Sequence, residues 1–210
     1  MNVCISFLIR FVFLNAQTAS LQKNAPMSVL SSIKAVDTIH ANEIATFDPT
    51  WVDSLSLSLP CYGIPVPKRT MRLPNAPRNY RNGTHRGLDF FANWGTPVRS
   101  VADGIVVRSD LHYEEVPADF RENLLKATAR VGHTPSDIFN NVLLGKSVFL
   151  DHGFDLIPGF RTISIYAHLS HIEKEIVPGA IVKRGELLGK SGNTGMREST
   201  IGSKLSLIHI

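Results

Sequence analysis

Residues 161–170 read Arg-Thr-Ile-Ser-Ile-Tyr-Ala-His-Leu-Ser and alternate between apolar and polar side chains. A period of two residues predicts a β-strand that buries one of its faces. One predicted face carries Ile163, Ile165, Ala167 and Leu169, and the other carries Thr162, Ser164, Tyr166 and His168. This stretch therefore predicts a β-rich fold and places a histidine on the polar side of a strand.

Shorter strand patterns surround this stretch. Residues 87–91 and 147–151 predict strands, and residues 177–189 predict short strands separated by glycines. Asp103-Gly104 lies between two strand-like segments, 96–102 and 105–108, which predicts a β-hairpin. The chain has 12 prolines and 15 glycines, which is typical of many turns. We therefore expect a mainly β fold.

Residues 111–145 interrupt the strand pattern and predict a helical insertion. Pro117 and Gly132 predict the ends of a first helix. Its predicted apolar face carries Phe120, Leu124, Ala127 and Val131. Residues 134–145 predict a second, short helix that begins at Thr134-Pro135, with Ile138, Phe139 and Val142 as its apolar face and Gly145 at its end.

The composition excludes some classes of function. Hydrophobic residues make up 43% of the chain and charged residues 19%, which is ordinary for a globular protein. A net charge of +4 suits an anionic partner such as a cell-wall polymer. We expect no nucleic-acid binding, because no lysine/arginine stripe with interleaved aromatic residues occurs. The two cysteines, Cys4 and Cys61, do not form a Cys-x-x-Cys pair, which argues against a thiolate zinc site.

The first 60 residues contain an apolar segment and a lead-in. Residues 3–14 are apolar except for Ser6 and Arg10, and the segment is too short for a membrane span. One interpretation is a signal peptide within residues 1–20, and the other is a true start at Met27. Residues 21–60 indicate a lead-in or linker, and the prolines and arginines of residues 61–81 predict an extended loop.

His85 and Asp89 are the candidate metal ligands. Their spacing of four residues would place both side chains on one face of an extended strand, within reach of one ion. Taken alone, the pair fits equally well a surface histidine followed by a carboxylate that caps a turn. His168 alone likewise fits a histidine with a structural hydrogen bond.

Several motifs together resemble the lysostaphin-type (LytM-domain) zinc metallopeptidases. They occur in the family's order and span residues 84 to about 195, interrupted by the helical insertion. The motifs are residues 84–90, 95–98, 102–106, 151–153, 165–169, 177–179, 182–189 and 192–195. Each motif is moderately specific, and their shared order makes the resemblance strong.

The resemblance implies a small antiparallel β-sheet or sandwich peptidase domain over residues 61–204. It implies one Zn²⁺ per complete domain, with His85 and Asp89 as ligands and His168 as the catalytic histidine. His152 would support the site from nearby, and Tyr166 would line the substrate groove. The implied substrate is the peptide part of bacterial peptidoglycan, so the implied location is the cell envelope, either periplasmic or extracellular.

The sequence departs from the family pattern at its end. Family members finish with a His-x-His motif that supplies the third zinc ligand, and this chain has no such pair. Residues 205–210, Leu-Ser-Leu-Ile-His-Ile, match one reading frame of the transposase end sequence used in sequencing libraries. Our hypothesis is that they are an adaptor scar and that the third ligand lies beyond Lys204. The alternative is a genuine C-terminal strand, and in neither case is His209 taken as a ligand.

Two other functions are alternatives to the peptidase. A degenerate, non-catalytic LytM-like module could bind cell wall or activate another hydrolase. The presence of all three of His85, Asp89 and His168 favours the enzyme, since a binder has no chemical need for them. A biotinyl or lipoyl carrier hairpin is disfavoured, because no lysine occupies a hairpin tip in the manner of carriers.

Overall fold

The structure is a computed structural model that describes residues 48, 50, 53, 55–157 and 159–202, and the backbone of residues 3–11. The strands are β1 (Val3–Phe11), β2 (Pro77–Arg78), β3 (Gly83–Thr84), β4 (Leu88–Ala92), β5 (Pro97–Arg99), β6 (Gly104–Ser109), β7 (Val148–Asp151), β8 (Thr162–Tyr166), β9 (Leu169–Ile172), β10 (Ile181–Val182) and β11 (Leu187–Ser191). The helices are α1 (Ala118–Val131), α2 (Ser136–Ile138) with a π-helical turn at Phe139–Leu143, and α3 (Arg197–Thr200). Short 3-10 turns occupy Thr70–Arg72 and Asn79–Arg81.

The strands form antiparallel sheets, so the expectation of a mainly β protein is confirmed. Six strands form one sheet in the order β10-β6-β7-β8-β1-β4, and β5-β11-β9 form a second. Strands β2 and β3 form a third, two-stranded sheet. The first 60 residues were expected to hold a signal peptide and a linker, and most of them lie outside the described residues. Val3–Phe11 forms β1, whose backbone pairs with both β4 and β8.

Two clusters of buried side chains form on opposite faces of β8. Tyr166 belongs to a larger cluster that draws residues from both the six-stranded and the three-stranded sheets. Ile165 belongs to a second cluster, which it shares with Ala167 and the π-helical turn. The predicted alternation of side chains is therefore confirmed up to Tyr166, but the prediction that only the apolar face is buried is wrong, because Thr162, Ser164 and Tyr166 are buried as well.

The predicted strand does not continue to Ser170. It breaks at Ala167 and His168, and His168 has φ +58°, a left-handed conformation that no regular strand contains. Leu169 consequently joins the larger cluster rather than the face of Ile165. The break turns His168 out of the strand, so the contacts of its ring, and not the strand geometry, determine where it lies.

The predicted hairpin at Asp103-Gly104 is wrong. Strand β5 pairs with β11 in the three-stranded sheet, whereas β6 pairs with β7 and β10 in the six-stranded sheet. The chain passes from one sheet to the other at this point. The Asp103 carboxylate accepts hydrogen bonds from the Lys183 side chain and the Arg184 backbone, and these contacts hold the crossing in place.

The two helical segments lie between β6 and β7. Helix α1 begins and ends close to the predicted positions. Pro117 precedes its first turn, and Gly132 ends it with φ +84°. The predicted apolar face is wrong: Phe120 and Val131 are exposed, whereas Arg121 and Thr128 are buried. Buried hydrogen bonds explain this rotation, because Arg121 Nε donates to Gly195 O and Thr128 Oγ1 to Arg81 O. The π-helical turn buries Phe139 and Leu143, close to the expected face.

Candidate functional site

His85 and Asp89 converge as the sequence predicts, although His85 lies outside any strand. The segment between β3 and β4 is irregular, and the His85 backbone is held by hydrogen bonds with Ala76 O (2.7 Å) and Asn75 N (2.8 Å). Asp89 is the second residue of β4. Both residues are buried, and His85 Nε2 lies 2.9 Å from Asp89 Oδ1. The side chains therefore meet through a fixed loop rather than through one continuous strand.

The hydrogen bonds of the His85 ring indicate which nitrogen can bind a ligand. Nδ1 lies 2.9 Å from Leu73 O, and a carbonyl oxygen only accepts. In the neutral ring Nδ1 therefore carries the proton and Nε2 presents its lone pair. Nε2 is buried and has no hydrogen-bond partner among the described residues. A lone pair facing a carboxylate oxygen in this way fits two ligands of one metal ion.

The ligand set is not complete within the described residues. No group of three or more His, Cys, Asp or Glu side chains in this part of the chain could hold a metal ion. The third ligand expected beyond Lys204 and the suspected scar at residues 205–210 lie outside the described residues. The structure thus brings together two of the zinc ligands that the resemblance implies.

Arg78 contacts Asp89 from the side opposite His85, and the sequence reasoning missed it. Its Nη2 lies 3.1 Å from Asp89 Oδ2 and donates to Met71 O at 2.9 Å. Only about a tenth of each side chain is exposed, 11% for Arg78 and 12% for Asp89. The ion pair therefore ties the proline-rich segment before β3 to a candidate ligand. An abundance of arginine in residues 61–81 was the available signal, but it does not say which arginine reaches the site.

His168 lies on the same cleft with one ring nitrogen in use. Its Nδ1 lies 2.7 Å from Thr194 O, so Nδ1 carries the proton and Nε2 presents a lone pair. Burial lowers the pKa of His168, and the Thr194 carbonyl and the charge of Asp89 partly oppose that shift. A neutral histidine near a carboxylate fits a proton acceptor.

The turn at residues 192–196 fixes His168 in this orientation. Thr194 Oγ1 accepts a hydrogen bond from Lys146 N and donates to Leu169 O, both at 2.9 Å. His168 N donates to Leu144 O at 2.9 Å. Gly145 lies so close to this turn that a Cβ on it would be 2.2 Å from Thr194 O. The loop of His168 is therefore packed between the end of the helical segment and this turn.

A cleft of about 860 Å³ contains His85, Asp89 and His168 in its lining. Its other walls come from the loop of residues 77–81, α1, the π-helical turn and α3. Five arginines and three carboxylates line it: Arg78, Arg81, Arg86, Arg121, Arg197, Asp89, Glu122 and Glu198. Such a cleft is large enough for a peptide segment and carries more positive than negative groups.

His152 and Tyr166 lie away from this cleft. His152 Nδ1 pairs with Asp103 O at 2.6 Å, and its Nε2 pairs with Ser164 Oγ at 2.7 Å. Ser164 Oγ donates to the Tyr166 hydroxyl, which also accepts a hydrogen bond from Val101 N at 2.9 Å. Tyr166 is fully buried, and neither residue lines the cleft. The structure therefore places His152 and Tyr166 in one buried hydrogen-bond network outside the cleft.

No protein-family model matches the sequence, and no curated protein matches it. None of the helices within the described residues combines the length and the apolar composition that crossing a bilayer requires.

Proposed function

We propose that this chain carries most of a lysostaphin-type zinc endopeptidase domain that hydrolyses peptide bonds of bacterial peptidoglycan. One observation carries the proposal: Nε2 of His85 lies 2.9 Å from Asp89 Oδ1, inside a cleft that His168 also lines. Because His168 is about eighty residues from His85 and Asp89 in sequence yet lines the same cleft, a shared chemical task is a better explanation than three separate structural roles. We also propose that the domain is a small β-sandwich with a helical insertion between β6 and β7.

Each of the three residues has a distinct task in this proposal. His85 Nε2 and an Asp89 oxygen would hold Zn²⁺, which lowers the pKa of a bound water and polarises a peptide carbonyl. The Leu73 carbonyl keeps the proton on His85 Nδ1 and so keeps Nε2 available. The Thr194 carbonyl does the same for His168, whose Nε2 would accept a proton or donate one to the leaving amine. We place the complete protein in the cell envelope, because its proposed substrate is there.

A non-catalytic module that binds cell wall is the second candidate. The Arg78–Asp89 ion pair favours it, since a guanidinium 3.1 Å from Asp89 Oδ2 opposes a second cation at that carboxylate. The incomplete set of ligands among the described residues is in keeping with it. The two candidates differ in whether the complete domain retains metal.

The zinc content of the chain, extended by its natural coding sequence beyond residue 204, tests the proposal. We expect about one zinc ion per molecule, lost in His85→Ala and kept in His171→Ala, a control at an exposed histidine. Purified peptidoglycan should release peptides with the wild type and the control only. A folded, metal-free protein that binds peptidoglycan without releasing peptides would favour the non-catalytic module.

A further inference from the structure

Two buried arginines line the cleft that contains the proposed zinc ligands. Arg81 ends the 3-10 turn that leads into β3, and Arg121 lies in the first half of α1. Only 3% of Arg81 and 9% of Arg121 is exposed. Both belong to the lining that contains His85, Asp89 and His168. The cleft thus holds two guanidinium groups that water hardly reaches.

Neither guanidinium is neutralised by a carboxylate within 4 Å in the described part of the chain. Arg81 Nη2 donates to Thr84 O, but Arg81 Nη1 is buried without a hydrogen-bond partner there. Arg121 Nε donates to Gly195 O at 3.3 Å. Carbonyl oxygens accept these hydrogen bonds but do not cancel the charge.

The more distant charges near these arginines leave them partly unbalanced. Burial lowers the pKa of both, and the groups that act on Arg81 are Tyr80 and Arg78, neither of which is negative at neutral pH. Glu115 and Glu198 act on Arg121. Glu115 is already bound by the Tyr113 hydroxyl and Gly195 N. A buried guanidinium without a charged partner is unfavourable, so a ligand anion here would form a charge-assisted hydrogen bond that the protein itself does not supply.

We propose that Arg121 forms a subsite for a carboxylate of a peptide ligand in the cleft that holds the His85–Asp89 pair, and that the buried positive charge of Arg81 adds to its attraction. A planar carboxylate matches the fork of a guanidinium and accepts two parallel hydrogen bonds. A single negative charge fits better than a dianion such as phosphate, because Glu115 and Glu198 already offset part of the positive charge. The role of the subsite in selecting a peptidase substrate rests on the proposed function. Its ability to bind a carboxylate does not.

The subsite would give α1 a task in recognising substrate. Thr128 and Thr134 both donate to Arg81 O, so the helical segments also fix the backbone of Arg81. A peptide whose free carboxylate enters this subsite would have its chain directed past His168 and the candidate zinc ligands. The enzyme would then prefer cell-wall peptides with a free carboxylate near the cleaved bond over their amidated forms.

Isothermal titration of N-acetyl-Lys-D-Ala-D-Ala and of its C-terminal amide, without added zinc, tests the subsite. We expect the free acid to bind about tenfold more tightly than the amide, because one charge-assisted pair is lost in the amide. Arg121→Gln should abolish this preference, and Arg121→Lys should keep part of it. Arg130→Gln is the matched control, since Arg130 is exposed on the same helix and does not line the cleft.

Three outcomes would overturn the proposal. The first is equal affinity of the wild type for the two peptides, or no binding of either. The second is an unchanged preference in folded Arg121→Gln. The third is tighter binding of inorganic phosphate than of the free acid, which would make the site a phosphate site. None of these readouts depends on zinc or hydrolysis, so they are distinguishable from failure of the proposed function.

Discussion

His152 and His168 follow neighbouring strands, β7 and β8, but use their rings differently. His152 bonds through both ring nitrogens to protein groups, Asp103 O and Ser164 Oγ. Among the described residues, the His168 ring bonds through Nδ1 alone, to Thr194 O, and it lines the cleft. Because β7 and β8 are antiparallel, the two residues lie towards opposite ends of the sheet. A ring with both nitrogens bound has no site for a ligand, so the partners of the ring, and not the residue type, distinguish His152 from the candidate catalytic histidine His168.

The largest effect should come from filling the space behind His168. Gly145→Ala combines a φ of +63° with a Cβ 2.2 Å from Thr194 O, the atom that fixes the His168 ring. We expect the free energy of unfolding to fall by about 3 kcal/mol and any hydrolysis to be lost. Urea unfolding at neutral pH measures the loss.

Gly132→Ala is the matched control for this substitution. Gly132 has φ +84° but open space around its Cβ position, so only the cost of the left-handed backbone applies, about 1 kcal/mol. Equal losses in the two variants would contradict the packing of residues 145 and 194 described above.

His152→Ala should cost more stability than His168→Ala and change no chemistry. His152→Ala leaves Ser164 and Asp103 O without their buried partner, which we expect to cost about 2 kcal/mol. His168→Ala removes a single hydrogen bond, for about 1 kcal/mol, yet should abolish hydrolysis. Unfolding curves and peptide release from peptidoglycan, measured on both variants of the complete domain, test the contrast. Loss of hydrolysis in a folded His152→Ala protein would contradict the expectation that His152 takes no part in the chemistry.

The sequence predicted those features that depend on short segments. Pro117 and Gly132 mark the ends of α1, because one presets the first helical turn and the other adopts the left-handed φ that ends a helix. The spacing of His85 and Asp89 predicted their convergence, although the loop that brings them together was not foreseen. The mainly β character followed from alternation that buries one face of each strand.

Contacts between distant segments explain the predictions that were wrong. Asp103-Gly104 has the local signature of a hairpin, but β5 and β6 pair with strands from elsewhere in the chain. The face of α1 is set by Arg121 and Thr128, whose hydrogen bonds reach residues 195 and 81. Because arginine and threonine are polar, hydrophobic periodicity predicts that both side chains are exposed. Arg78 was missed for the same reason, since its partner Asp89 lies beyond the intervening loop.

Removing the charge of Arg78 should increase the affinity of the His85–Asp89 pair for metal. Arg78→Gln removes a positive charge 3.1 Å from Asp89 Oδ2, so we expect the affinity of the complete domain for zinc to rise about tenfold. Competition with a zinc-binding dye measures the change. Arg69→Gln, at an exposed arginine of the same segment, should leave the affinity unchanged. A lower affinity in Arg78→Gln would instead show that Arg78 orients Asp89 for the metal.

The smallest effect should be the dependence of stability on pH that His168 adds. Burial lowers the pKa of His168 in the folded protein below its ordinary value of 6.5. As the pH falls below 6.5, the unfolded chain takes up a proton at this histidine before the folded chain does, so the folded state loses stability. Above 6.5 the ring is neutral in both states and adds no dependence. Urea unfolding at pH 8.0, 6.5 and 5.5 should therefore show a larger decrease for the wild type than for His168→Gln, which has no ring to protonate. The decrease in His171→Gln, at an exposed histidine, should match the wild type. If wild type and His168→Gln lose stability equally, the ring of His168 is not held neutral by burial, and its assignment as the proton acceptor of the cleft loses its support.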